Sequence, residues 1–138
     1  MKRRVLFLCT GNSARSQMAE ALVNHQLGES WEAVSAGTHP TGYVHPLAVA
    51  ALQELGIDAS HARSKSTDEF RNADLDLVVT VCDDAAEECP IWLGQGQRVH
   101  IGFPDPAEGS LDAFRDVCEG IQERVIPYLE AMNDYLDK

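Results

Sequence analysis

The chain has no apolar run long enough to cross a membrane, and the run that follows its basic start, Val5 to Cys9, is also too short for the core of a signal peptide. A cytoplasmic location is expected. Positive charge is scarce: 11 Lys and Arg stand against 22 Asp and Glu, and the net charge of −11 repels phosphate backbones and anionic lipid surfaces. Neither nucleic acid nor a membrane is an expected partner. The four cysteines (Cys9, Cys82, Cys89 and Cys118) are too dispersed in a chain of 138 residues to form a secreted disulfide framework, so reactive or buried thiols are expected. Internal repeats, low-complexity tracts and Ser/Gly linkers are missing. What remains, 44% apolar and 24% charged residues, is the composition of a folded globular chain, read as one domain over 1–138 and expected to be a monomer.

Val5-Leu6-Phe7-Leu8 is continuously apolar, the pattern of a strand covered on both faces, and it runs straight into Thr10-Gly11-Asn12-Ser13. From Ser16 the positions Met18, Ala21, Leu22 and Leu27 recur at helical spacing, with Gly28 as the stop. Further strands are predicted over Trp31–Ala36, Leu75–Val81 and Arg98–Ile101, and a helix over Pro46–Leu55. A long C-terminal helix follows from the stripe Leu111, Phe114, Val117, Cys118, Ile121, Val125, Tyr128, Leu129 and Met132, with Pro127 expected to kink or restart it. Strands alternating with helices argue for an α/β fold, a parallel sheet flanked by helices.

The most informative stretch is Cys9-Thr10-Gly11-Asn12-Ser13-Ala14-Arg15-Ser16, a cysteine at a strand end with an arginine six positions on at the mouth of a helix. A loop of this length can curl until successive N–H groups converge on a tetrahedral oxyanion, and the first turn of the helix adds unpaired donors and a positive dipole end. Gly11 and Asn12 tolerate the positive φ of such a curl. Arg15 brings a planar fork that grips two oxygens, and the same donors, with Ser13 and Ser16, would stabilise a thiolate at Cys9. No Gly-Lys-Ser/Thr follows, so this is not an ATP-binding loop. A buried structural cysteine is the bland alternative.

Displacing a group from an oxyanion calls for a proton donor, and Asp105 in Phe103-Pro104-Asp105-Pro106 is a candidate at the sheet's C-terminal edge. By itself it reads equally well as a turn aspartate. Cys82 and Cys89 are too far apart for a metal-binding pair and have no histidine near them in sequence, so a redox pair is the sharper reading. Asp83-Asp84-Ala85-Ala86-Glu87-Glu88 is good helix-starting sequence. Residues seven apart in a helix stand about 10 Å apart along its axis, beyond the roughly 7 Å a disulfide spans between Cα atoms, so oxidation would require that segment to change conformation. Cys118 falls on the apolar stripe as a core thiol, Trp31 and Trp92 are expected to pack, and the five histidines form no metal-binding cluster, which leaves them loop or surface roles.

With these residues assembled, the chain resembles the thioredoxin-coupled arsenate reductases, which share the low-molecular-weight protein tyrosine phosphatase fold. The resemblance rests on CTGNSARSQMAEA at 9–21, SAG at 35–37, VVTVC at 78–82 with Cys89-Pro90, and FPDPA at 103–107. It implies a three-layer, doubly wound sandwich around a four-stranded parallel sheet. It also implies that arsenate is held by Thr10, Gly11, Asn12, Ser13, Ala14, Arg15 and Ser16 and attacked by Cys9, with Asp105 assisting the departing oxygen. Cys82 and Cys89 would then relay the disulfide, and thioredoxin, rather than a bound cofactor or metal, would supply electrons. Phosphatases of this fold usually carry Pro where Gln17 stands and an aromatic residue where Ala107 stands. Members that bind potassium behind the loop use an Asn, a Glu, a Ser and an acidic side chain. Here Asn12, Glu20 and Ser35 match, and the fourth position is Lys65, whose ammonium would replace the cation. A phosphotyrosine phosphatase and a non-enzymatic thiol redox sensor are the alternative readings.

Overall fold

A computed structural model describes residues 2–82, 96–106 and 109–136. Strand β1 (Arg3–Cys9) is followed by helix α1 (Arg15–Gln26), strand β2 (Trp31–Gly37), helix α2 (Pro46–Glu54) and a short 3-10 helix, Thr67–Phe70. Strands β3 (Leu77–Thr80) and β4 (Gln97–His100) precede the long helix α3 (Leu111–Leu136). The four strands form one parallel sheet in the order β2-β1-β3-β4. The chain therefore leaves β1 toward one edge and later returns to its other side. The carboxyl end of β1 is a topological switch point, where open α/β sheets leave a crevice for ligands.

Alternation along β1 explains the two layers that cover it. Val5, Phe7 and Cys9 face a core built with Met18 and Leu22 of α1, Leu52 of α2, and Phe114, Ile121 and Leu129 of α3. Leu6 and Leu8 face the opposite way, onto Ala36, Leu75 and Val78, with Phe70 of the 3-10 helix packed over them. Burying side chains as large as Trp31, Phe7 and Phe114 contributes about 1.5–3 kcal/mol each. The helix predicted after Cys82, the position of Trp92 and that of Cys89 lie outside the described residues.

Several boundaries differ from the sequence reading. β1 is longer at both ends, and α1 begins at Arg15 rather than Ser16. β3 starts at Leu77, because Leu75 is buried under the sheet before the strand begins. The 3-10 helix has no apolar periodicity and is instead started by Ser66, whose side chain accepts the Asp68 N–H. Helix α3 does not restart at Pro127. Pro127 and Glu123 both lie on the solvent face, so the Glu123 carbonyl that loses its i+4 donor remains open to water. The missing bond still carries a cost, and Pro127→Ala is expected to stabilise the protein by about 1–3 kcal/mol, read as a higher urea midpoint with an unchanged slope. An unchanged midpoint would mean that the helix accommodates the ring without penalty.

Candidate active site

The residues Cys9 to Ser16 form the floor of a cavity of about 340 Å³ at the carboxyl end of β1. Its shape follows from where the loop's carbonyls go. The Thr10 carbonyl accepts from the His39 N–H (2.9 Å), and Gly11 from the Thr41 N–H (3.0 Å) and the Ser64 hydroxyl (3.1 Å). The Asn12 carbonyl accepts from Gln17 Nε2 (3.1 Å), Ser13 from the His45 N–H (2.9 Å) and Ala14 from the Met18 N–H (2.8 Å). Five consecutive carbonyls are thus held on the flanks. In a trans peptide the following N–H points opposite its carbonyl, so the amides of residues 11–15 turn toward the cavity. One of them, Asn12 N–H, reaches the Cys9 sulfur at 3.3 Å.

Asn12 makes the turn possible. It is the one non-glycine residue with positive φ (48°) among the described residues, a conformation that Asn adopts more readily than most side chains. The buried side chain is tied at every corner: Oδ1 accepts from Gln17 Nε2 (2.8 Å) and the Lys65 N–H (2.7 Å), and Nδ2 donates to Ser16 Oγ (2.8 Å). Ser16 Oγ in turn lies 2.9 Å from Cys9 Sγ. With Asn12 donating to the hydroxyl oxygen, the hydroxyl proton is free to turn to the sulfur when the sulfur is a thiolate. Two donors converging on one sulfur suit an anionic nucleophile.

Helix α1 carries no side-chain cap at its start. Its N-cap is Ala14, with no side-chain cap and no acidic residue in the first turn, whereas α2 is capped by His45. The positive end of the helix dipole therefore faces the cavity without an acidic side chain of its own helix to offset it. Arg15 is almost fully buried; its guanidinium donates to the Phe103 carbonyl (3.2 Å) and lies 3.9 Å from the Asp105 carboxylate. Asp105 is half exposed and lines the same cavity.

The structure therefore gathers Cys9, Thr10, Gly11, Asn12, Ser13, Ala14, Arg15 and Asp105 around one space. Ser16 supports it from beneath, and no contact from the Ser13 hydroxyl to the sulfur is seen among the described residues. Cys82 does not line the cavity. It is fully buried past the end of β3, the neighbour of β1, and is disulfide-bonded, whereas Cys9 and Cys118 are free thiols. Cys118 packs against Met18 in the core, and burial pushes its thiol up to about 11. That thiol is inert near neutral pH.

Behind the loop, Lys65 Nζ lies 3.5 Å from Glu20 Oε1 and donates to the Arg63 carbonyl (3.0 Å), and Ser35 Oγ donates to the same Glu20 oxygen (3.1 Å). The ammonium already satisfies the acidic side chain, so these residues do not fit a potassium ion. Among the described residues no group of three or more His, Cys, Asp or Glu could hold a metal.

The sequence reading missed the roof. His39, Thr41, Tyr43 and His45 all line the cavity, one side chain at every second position of the connection from β2 to α2. The available signal was their spacing in a loop that leaves β2 beside β1. It missed Gly37 as a steric requirement too. A Cβ there would stand 2.4 Å from the Thr10 carbonyl oxygen and 3.0 Å from the Asn12 nitrogen, both backbone atoms of the anion loop.

Gly37→Ala is therefore expected to displace the loop and weaken inorganic phosphate binding by on the order of a hundredfold, with circular dichroism retained. Unchanged affinity by calorimetry would show that the loop tolerates the methyl group. Exchanging potassium for sodium at fixed ionic strength is expected to leave the melting temperature and catalytic efficiency unchanged. A rise of several degrees in potassium would reveal a cation site despite Lys65.

Comparison with known proteins agrees with this geometry. Residues 4–137 match the model of the low molecular weight phosphotyrosine protein phosphatase family. An arsenate reductase from Halalkalibacterium halodurans is 44% identical over 135 residues, covering 94% of this chain and 96% of that protein. Among solved structures, an arsenate reductase in the phosphate-binding state superposes with a TM-score of 0.81 at 32% identity, covering 94% of this chain and 98% of the other. A thioredoxin-dependent arsenate reductase from Corynebacterium glutamicum gives a TM-score of 0.67 at 29% identity, covering 94% of this chain and 63% of that one. A loop whose amides turn inward around a cysteine, on a four-stranded parallel sheet shared with these proteins, places the chain in the low molecular weight phosphotyrosine protein phosphatase family, among relatives that are arsenate reductases.

Proposed function

We propose that this protein reduces arsenate to arsenite, acting as a cytoplasmic monomer that draws its electrons from reduced thioredoxin. The observation that carries the reading is the cavity above Cys9, in which five amides and the Arg15 fork face a space suited to a tetrahedral oxyanion. The relatives named arsenate reductases, including one described as thioredoxin-dependent, support it.

The Cys9 thiolate attacks arsenic and displaces one oxygen, which leaves as water after taking a proton from Asp105 and a second from solvent. The backbone amides and Arg15 hold the remaining oxygens throughout. Cys82, as thiolate, then attacks the Cys9 sulfur. A Cys9–Cys82 disulfide forms, the sulfur–arsenic bond breaks with its electron pair left on arsenic, and arsenic departs as arsenite, two electrons richer. Cys89 next attacks Cys82, releasing the Cys9 thiolate and leaving a Cys82–Cys89 disulfide. The thioredoxin dithiol reduces that bond and is itself oxidised. Cys82 is disulfide-bonded here and does not line the cavity, so the relay begins once thioredoxin has reduced that bond and requires the Cys82 sulfur to move toward Cys9.

Phosphotyrosine hydrolysis is the second reading, favoured by the family match itself and by the same oxyanion loop. The two separate in one assay. With thioredoxin, thioredoxin reductase and NADPH, oxidation of NADPH is expected only when arsenate is added. Cys82→Ser and Cys89→Ser are each expected to reduce it to background while sparing hydrolysis of a small aryl phosphate. Activity on aryl phosphate alone, indifferent to both substitutions, would establish the phosphatase reading in its place. A thiol sensor would oxidise without arsenate and turn nothing over.

A further inference from the structure

We propose that His45 contacts the oxyanion directly, its Nε2–H donating into the cavity above Cys9 from the roof opposite the amide loop. The inference deepens the reading of that cavity as an oxyanion site. It starts from the ring's other nitrogen. His45 is the N-cap of α2, and Nδ1 accepts the Leu47 N–H at 3.1 Å. A ring nitrogen that accepts carries no proton, so the neutral imidazole bears its hydrogen on Nε2. Helix capping thus selects the tautomer that presents a donor on the far edge of the ring.

Two further contacts fix where that donor points. The ring packs against the fully buried Phe114, with centroids 4.6 Å apart at an interplanar angle of 41°, which holds its plane, and turning it over would give up the cap to Leu47. The His45 N–H is bonded to the Ser13 carbonyl, which places the residue on the rim of the anion loop, and the side chain lines the cavity with Arg15. Among the described residues no acceptor meets Nε2, and it is not one of the buried polar atoms without a partner, so it is open to solvent on a residue that lines the cavity. An anion oxygen pointing away from the amides would find it there. The histidine adds to the charged Arg15 fork a neutral donor at a fixed position.

Two substitutions separate capping from anion contact. An Asn side chain places an acceptor near the position of Nδ1, and a Gln side chain can place its amide nitrogen near that of Nε2. His45→Asn is expected to keep the melting temperature within a few degrees and to weaken inorganic phosphate binding about three- to tenfold. His45→Gln is expected to lower the melting temperature and to hold phosphate within about twofold of the wild-type affinity. Nitrogen-15 spectra of the histidine rings supply a measurement independent of either variant: His45 should show the Nε2–H tautomer, and added phosphate should move its Nε2 resonance. Wild-type phosphate affinity in His45→Asn, an Nδ1–H tautomer, or no phosphate binding by the wild-type protein would each overturn the proposal. The readout is binding rather than turnover. Loss of arsenate reduction with the His45 effects intact would count against the reductase reading alone, and the reverse result would count against His45 alone.

Discussion

The chemistry of this protein depends on five carbonyl groups having somewhere else to go. A peptide loop around an anion is repelled by its own carbonyl oxygens unless each is turned away and given a donor, since an unpaired buried carbonyl costs about 1–3 kcal/mol. Here the donors come from three separate segments: the connection after β2, Ser64, and α1 through the Gln17 side chain and the Met18 N–H. Each of these donor groups is engaged by a carbonyl on the flank of the loop. By fixing the carbonyls they fix the amides, and an array preorganised in this way needs no reorganisation when charge arrives.

The same logic extends behind the loop. Asn12 adopts a left-handed conformation that an unsupported residue would avoid, and its side-chain and backbone hydrogen bonds compensate for that cost. Lys65 contributes twice, donating its backbone N–H to Asn12 and closing the Glu20 carboxylate with its ammonium. A buried ion pair of this kind adds little net stability, because desolvation offsets the attraction. It supplies a rigid backing that does not vary with the cation present. At long range the net charge of −11 opposes the approach of any oxyanion, so binding relies on dipoles and one guanidinium acting within a few ångströms, where the dielectric is low.

Cysteine illustrates how far environment decides chemistry. Cys9 sits at a strand end under converging donors, whereas Cys118 is enclosed by apolar side chains and has its thiol pushed up to about 11. Cys82 occupies the neighbouring strand end, in disulfide form and outside the cavity. One residue type thus stands under polar donors at a cavity floor, within the apolar core and in a disulfide.

The parallel α/β sheet was legible because β1 and β3 are continuously apolar and α3 carries its apolar residues on one stripe, patterns set by a few neighbours along the chain. The anion loop was legible for the same reason, since Cys9 to Ser16 is one contiguous segment between a strand and a helix. Asp105 could be singled out by its prolines and yet not distinguished from a turn aspartate until the fold set it 3.9 Å from Arg15. What the sequence by itself determined is the set of elements and the segment able to cradle an anion. Only the tertiary structure decided what surrounds that segment: Gly37 from β2, Ser64 and Lys65 from beyond α2, and the alternate side chains His39, Thr41, Tyr43 and His45. Those residues are distant in sequence and carry no local periodicity of their own. Their roles arise because parallel strands bring their carboxyl ends, and the loops that leave them, to one edge of the sheet.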